Sequence, residues 1–333
     1  VLRDIYLRPI GLYAARRGDE ADEVWGGLRL AGGWLDFTGL EVIERNGAAV
    51  ERRVAGLGDV FERDWGRRTQ FASDMLEKLR EPRGRICGLA MDTPQIMGIV
   101  NVTPDSFSDG GQFDGADAAV AHGLALVEAG ASVLDIGGES TRPGSDPVSE
   151  TEELDRVIPV IERLHAETDV RISIDTRKAA VMRAAAEAGA DIINDVSALT
   201  YDQAALRTVA ELGLPVVLMH AQGDPKTMQD APRYGDVLVD VFDYLEARVA
   251  ACVAAGIPLK NLIVDPGIGF GKTLEHNLEL MRGLSLFHAI GTPVMLGASR
   301  KRFLGTLTGR DVAADRVAAS VATALSGIAQ GTQ

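Results

Sequence analysis

The chain has 333 residues, 46% of them hydrophobic and 25% charged, with a formal net charge of −14. This is the balance of a globular protein, and its acidity excludes non-specific nucleic-acid binding, because a polyanion is repelled before specific contacts form. No apolar run approaches the roughly 18 residues of a membrane helix, the start VLRDIYLRP lacks a signal-peptide core, and Cys87 and Cys252 alone cannot build a disulfide framework or a four-ligand zinc site.

The expected location is therefore the cytoplasm. Residues 1–94 read as a small α+β appendage that contains all three tryptophans, Trp25, Trp34 and Trp65. Within it, EVIERNGAAVERR sets Asn46-Gly47 between alternating segments, which predicts a two-residue β-hairpin. A helix is expected around Asp64 to Arg80. Nothing in this region proposes chemistry, so it is expected to serve packing or an oligomer contact.

From Gln95 to the end, residues 95–333, one rhythm repeats: a helical stretch ends at glycine, a short apolar strand follows, and the strand ends on a polar residue. IMGIV runs into NVTPDSFSDGG, EAGASVLD ends at Asp135, VRISID at Asp175, and EAGADIIND at Asn194 and Asp195. ELGLPVVLMH then ends at His220, AAGIPLKNLIVD at Asp265, and AIGTPVMLGAS at Ser299. Gly130, Gly189, Gly213, Gly256 and Gly291 stand where a left-handed residue caps a helix. Near-continuous apolar strands alternating with helices predict parallel strands covered on both faces. The count and spacing fit the α/β class as a (β/α)8 TIM barrel better than a doubly wound sheet. Seven strands are expected. Gly331 sits where an eighth would begin, so the chain reads as truncated before strand 8, and Val1 in place of an initiator Met points the same way.

In such barrels the chemistry gathers at the C-terminal ends of the strands. Asn101, Asp135, Asp175, Asn194, His220, Asp265 and Ser299 are thus expected to face one mouth. A carboxylate can accept two parallel hydrogen bonds from an amidine-like edge, so Asp175 and Asp265 suit a flat heterocycle rich in N–H donors, with Asn194 beside them. Cations for a phosphate are present as Arg142 in GGESTRPGSDP and as Arg300, Lys301 and Arg302 in GASRKRFLG, at the expected start of a short helix. DPGIGFGKT is not a nucleotide-phosphate loop, because only three residues separate Gly267 from the Gly271-Lys272 pair. Its glycines are expected to let backbone pass close to a flat ligand, with Phe270 offering an aromatic face and Lys272 an ammonium.

In order, IMGIVNVTPDSFSDGG, GASVLDIGGESTRPG, SIDTRK, ADIINDVSAL, LMHAQGDPKTMQ, DPGIGFGK and GASRKRFLG resemble dihydropteroate synthases from Gln95 to Gly331. That family condenses 6-hydroxymethyl-7,8-dihydropterin pyrophosphate with 4-aminobenzoate and releases pyrophosphate. Carried onto this sequence, the resemblance implies a pterin cradle of Asp175, Asn194, Asp265 and Lys301 together with Asp135, lined by Met219, Phe270 and Gly297. It implies Asn101 as the ligand of a Mg²⁺ beside the pyrophosphate, and Thr141, Arg142 and Pro143 as a second mobile loop. Phe107, Pro143, Phe270 and Lys301 would border the aminobenzoate slot. Asn101, Arg142, Asp175 and Lys301 would carry the catalysis.

The resemblance further implies two small-molecule substrates, a homodimer through late barrel helices, and competition by sulfonamides, since DPGIGFGK has no insertion beside Phe270. It also implies an eighth strand ending in an Arg-x-His pair, before which this chain stops, and Arg302 stands where the family often has Ser. Two other readings fit parts of the pattern: a corrinoid-linked methyltetrahydrofolate methyltransferase, which has no use for the Arg142 loop, and a catalytically silent pterin-binding barrel.

Overall fold

The computed structural model describes residues 4–15, 26–103, 112–140, 145–223 and 228–333. Six parallel strands form one sheet whose spatial order follows the chain: β7 (Met97–Asn101), β8 (Val133–Gly137), β9 (Arg171–Asp175), β10 (Ile192–Asp195), β11 (Val216–Met219) and β12 (Leu262–Asp265). Their crossovers are helical: α3 (Gln112–Glu128), α4 (Glu150–Glu167), α5 (Ala179–Ala188), α6 (Ala205–Leu212) and α7 (Val237–Ala254), with α8 (Leu274–Arg282) following β12. A strand order that never reverses is the path of a (β/α) barrel, because a doubly wound sheet reverses at its switch point.

β8, β10 and β11 are buried at every residue, as strands with both faces covered must be. The five expected capping glycines all take positive φ. The seventh strand is shorter than expected, a parallel bridge of Val294 to Val264. Val264 N–H donates to Pro293 at 3.0 Å and Met295 N–H to Val264 at 2.8 Å. Beyond Met295 the backbone turns in so that Gly297 can pass the Asp265 carboxylate. A Cβ on Gly297 would lie 3.2 Å from Asp265 Oδ2.

The N-terminal residues form two small antiparallel sheets. One pairs β1 (Ile5–Ile10), β5 (Gly39–Asn46) and β6 (Ala49–Gly56) in the order β1-β5-β6. The other sets β4 (Leu35–Phe37) between β2 (Tyr13–Ala14) and β3 (Leu28–Arg29). The expected hairpin is present, one residue later than predicted. Asn46 pairs with Ala49, so the turn residues are Gly47 and Ala48, and Gly47 takes the positive φ of +66° that a type II′ turn asks of its first central residue. Two helices follow, α1 (Leu57–Glu62) and α2 (Thr69–Arg80), the latter entered through a 3₁₀ turn at Gly66–Arg68.

This region is packed onto the barrel. Tyr6 is fully buried, stands edge-on to Phe242 of α7 with ring centroids 5.5 Å apart, and donates to Asp243 at 2.9 Å. Phe242 in turn stacks on Phe287. Around this aromatic seam Arg45 pairs with Asp240 and Asp243, and Arg52 with Asp236 and Glu279. Trp34 Nε1 donates to the Ile328 carbonyl at 3.0 Å. Before β7, Ile86 and Met91 are buried against Val133, Ile192 and Val217 near the starts of β8, β10 and β11. That plug fills the N-terminal end of the barrel and leaves the opposite end for side chains that ligands can reach.

Downstream of Val294, α9 (Arg302–Thr308) begins directly after Lys301, and α10 (Val317–Ile328) follows. No helix among the described residues is long and apolar enough to cross a membrane.

Candidate active site

Strand register assembles the site. Asn101 pairs with Gly137, Gly137 with Asp175, and Asp175 with Asn194, so one row crosses four strands at their C-terminal ends. Met219 and Asp265 form the adjoining pair on β11 and β12. Gly137 leaves this row open. A Cβ there would sit 3.7 Å from both Asn101 Oδ1 and Asp175 Oδ2. Asp135 lies two residues deeper on β8, facing the same way by strand alternation. It reaches across β9 to accept from Asn194 Nδ2 at 3.0 Å.

The acids are under electrostatic pressure. Asp175 lies well above the usual carboxylate range, first because burial disfavours its charge and then because Asp135, Asp195, Glu153 and Glu139 repel it. Burial also raises Asp135, against the opposing pull of the Ser173 hydroxyl and then of the Asn194 amide. Asp265 is raised by burial although Lys301 and the Gly267 N–H, 2.7 Å from its Oδ1, favour the anion. Three carboxylate oxygens are buried without a hydrogen-bond partner among the described residues, Asp135 Oδ1 and Asp175 Oδ1 at the mouth and Glu153 Oε1 behind it. Buried acceptors of this kind are costly unless something else donates to them.

Lys301 completes the arrangement. Its ammonium donates to the Ile268 carbonyl, lies 4.4 Å from the centre of the Phe270 ring, and approaches Gly297, whose added Cβ would stand 3.9 Å away. Burial pulls its pKa down to about 8, against the attraction of Asp265 and Asp175. The mouth thus gathers hydrogen-bond acceptors for a flat donor-rich ring, one aromatic face, and a cation held at the edge of its charged range.

A family model described as "Pterin binding enzyme" matches residues 97–333. The dihydropteroate synthase of Haemophilus influenzae is 48% identical over 245 residues, covering 74% of this chain and 88% of that protein. The solved Xanthomonas albilineans dihydropteroate synthase with 4-aminobenzoic acid superposes with a TM-score of 0.70 at 53% identity, covering 74% of this chain and 88% of that one. The same organism's enzyme in complex with 7,8-dihydropteroate gives 0.67 at 50% identity, covering 73% and 87%. The chain belongs to the dihydropteroate synthase family of pterin-binding enzymes.

With the family established, the fate of each expected site residue is plain. Asn101, Asp135, Asp175, Asn194, Met219, Asp265, Phe270, Gly297 and Lys301 converge on one mouth. Phe107, Thr141, Arg142 and Pro143 lie outside the described residues. Three residues expected at the mouth are not there. His220 follows Met219 and so points to the opposite face, where it is buried against Tyr244, with ring centroids 4.8 Å apart, and against Lys272. Lys272 offers no ammonium to a ligand, because its Nζ is spent on His220 and on the Gly267 and Phe270 carbonyls. Ser299 lies exposed in the turn before Lys301. Asp195, one residue past Asn194, likewise faces away and caps the next turn through Ser197 and Leu199.

Sequence reasoning missed a buried ion cluster behind the mouth. Glu139 accepts from Arg177 at 3.0 Å and from Lys178 at 3.1 Å, and Lys178 also binds the fully buried Glu153. Glu139 further accepts from Val148 N–H at 3.1 Å, which ties down the far side of the loop after β8. Burial would raise Glu139, but Arg177 and the other donors hold it below the usual carboxylate range. The available signal was two polar clusters, GGES and DTRK, following adjacent strands.

Among the described residues no group of three His, Cys, Asp or Glu side chains could hold a metal ion. Asn101 Oδ1 and Asp175 Oδ2 both border the gap left by Gly137, each 3.7 Å from where a Cβ would sit, and one such oxygen fits Mg²⁺, which keeps most of its waters and usually takes one or two protein oxygens plus substrate phosphate.

Proposed function

We propose that the nine converging residues are the centre at which 6-hydroxymethyl-7,8-dihydropterin pyrophosphate reacts with 4-aminobenzoate to give 7,8-dihydropteroate and pyrophosphate. The observation that carries this is the pair of buried, partnerless oxygens on Asp135 and Asp175, which need N–H donors of the kind a pterin ring supplies. Asp175, Asn194 and Asp265 hold the ring edge, and Met219 and Gly297 bound its faces. Phe270 and Lys301 border the slot for aminobenzoate, to which the family resemblance also assigns Phe107 and Pro143.

In the reaction the C–O bond between the pterin methylene and pyrophosphate breaks, a C–N bond to the arylamine forms, and the nitrogen then loses a proton to solvent. Positive charge grows on the methylene as the diphosphate leaves. Acidic residues behind the ring and the Lys301 cation, with Arg142 assigned beside it by family resemblance alone, would favour that separation. Asn101 would hold Mg²⁺ carried in with the diphosphate, with Thr141 and Arg142 on the same anion; the ion would neutralise charge on the leaving group. The test is pyrophosphate release in a coupled assay. Release that requires both substrates is expected, and absence of turnover with both present would overturn the reading.

Lys301 makes the anion-facing rim sensitive to alkali. Its pKa is depressed to about 8, so the ammonium is populated below that value and lost as pH rises through it. Binding of the pterin diphosphate, followed by titration calorimetry, is expected to weaken from pH 7 to pH 9. Lys301→Met should flatten this dependence, and an unchanged slope in that variant would remove Lys301 from the role.

The cytoplasm is the proposed location and a homodimer the proposed assembly. Val317, Val321 and Leu325 recur at helical spacing on α10 and remain half exposed, at 50%, 54% and 59%. An apolar stripe of this kind favours association. Sedimentation equilibrium should give the mass of two chains, and a monomer at micromolar concentration would exclude the dimer.

A further inference from the structure

The loop Gly267–Gly271 after β12 is held in an unusual way. Each of its five consecutive carbonyls accepts from a side chain. Lys272 takes Gly267 at 2.8 Å and Phe270 at 2.9 Å, Lys301 takes Ile268, Gln229 takes Gly269, and Tyr234 takes Gly271 at 2.8 Å. Gly267, Gly269 and Gly271 alternate in positive φ, which turns successive carbonyls to different sides. The loop also presses on the chain after β11, since a Cβ on Gly267 would stand 1.9 Å from the His220 carbonyl oxygen and one on Gly271 2.3 Å from that of Gln222.

Lys272 sits behind this loop, only 3% exposed. Its ammonium also lies 2.9 Å from His220 Nδ1 and 3.3 Å from the His220 carbonyl, and it forms no ion pair with a carboxylate among the described residues. Burial, followed by repulsion from Lys301, lowers its pKa well below the ordinary lysine value. Burial likewise drives His220 down and keeps its ring neutral, a state in which one ring nitrogen can accept. A buried cation with no carboxylate bonded to it is expensive, even with Asp265 near enough to attract it, and an apolar chain of the same length could fill the space. What the ammonium alone supplies is a fixed direction for two peptide carbonyls.

We infer that Lys272 is a positioning residue that sets the Phe270 side of the mouth, and through it the affinity for aminobenzoate, without touching either substrate. The geometry divides the loop between two lysines. Lys272 draws the Gly267 and Phe270 carbonyls backward, while Lys301 takes the intervening Ile268 carbonyl from the mouth. Phe270 is thereby presented to the slot, whereas on the pterin edge Asp175 and Asn194 stand on β9 and β10 and only Asp265 touches this loop, through the Gly267 N–H. The inference rests on the proposed reaction and on Phe270 bordering the second substrate.

The experiment compares wild type with Lys272→Met and Lys272→Arg by steady-state kinetics in both substrates. Lys272→Met is expected to raise KM for 4-aminobenzoate about tenfold or more and to leave KM for the pterin diphosphate within about threefold, and Lys272→Arg to recover part of the loss. Equal rises in both constants, or none, would overturn the positioning role. If Lys272→Met does not melt cooperatively, Tyr234→Phe, which frees only the Gly271 carbonyl, decides: a rise confined to aminobenzoate supports the role, and unchanged or equally raised constants reject it. Wild-type turnover in the same assay separates the two levels, because an inactive wild type would sink the proposed reaction while an active one isolates the question of Lys272.

Discussion

Asp175→Ala is expected to lower kcat/KM for the pterin diphosphate roughly 100- to 1000-fold, because it removes an acceptor of charge-assisted hydrogen bonds worth about 1.5–3 kcal/mol each. Steady-state kinetics checks this, and a loss below about tenfold would take Asp175 out of the cradle. Stability should move the other way. A carboxyl whose folded pKa lies above its unfolded value binds its proton more tightly in the folded state. Its contribution therefore favours folding at low pH and is lost as pH rises through the folded value. Asp175 is such a group, raised by burial and by repulsion from Asp135. Near neutral pH, Asp175→Asn should melt no lower than wild type, and a fall in melting temperature would show that the carboxylate supports the fold. Activity lost with stability kept is the signature of a group retained for binding.

Asn101→Ala is expected to cost about 100-fold or more in turnover with the fold intact, since deleting one preorganised charge-stabilising group commonly raises a barrier by ~2.7–4 kcal/mol. Asn101 is the last residue of β7 and only partly buried, so truncation leaves no large cavity. The same loss is expected for Arg142→Ala. Rates measured across a Mg²⁺ titration discriminate further, because the Asn101 variant should need more Mg²⁺ to reach its plateau. A loss of tenfold or less, or an unshifted Mg²⁺ requirement, would remove Asn101 from the metal.

These expectations put the acids of the mouth in a particular light. Asp135, Asp175 and Asp265 are all raised by burial, and Asp135 and Asp175 face the same interior from adjacent strands, one level apart, with no cation bonded to either among the described residues. By contrast, Glu139 and Glu153 a few residues away are matched by Arg177 and Lys178. The fold bonds cations directly to the acids that brace the loop and, among those that face the ligand, leaves Asp135 and Asp175 without one.

Much of this was legible beforehand because two periodicities are written locally. A glycine after each helix and a polar residue after each apolar run mark where strands end, and parallel register then lines those ends up, as Asn101, Asp175 and Asn194 show. His220 and Asp195 were harder. Each sits one position past an inward residue, and a strand's alternation sends it to the other face. The hairpin slipped for a similar reason: Asn-Gly suits one turn type, but pairing of Asn46 with Ala49 selected another that needs glycine first.

By itself the sequence determined the α/β barrel rhythm, the strand ends that supply the mouth, and the family, because each depends on short-range pattern or on residue identity. Only the tertiary structure decided what Lys272 does, how Glu139, Glu153, Arg177 and Lys178 pair, and that Tyr6, Arg45 and Arg52 fasten the N-terminal sheet to α7 and α8. The reason is physical. A lysine's reach spans several carbonyls and carboxylates, and which of them it meets is set by distances between segments far apart in the chain, which no local pattern encodes.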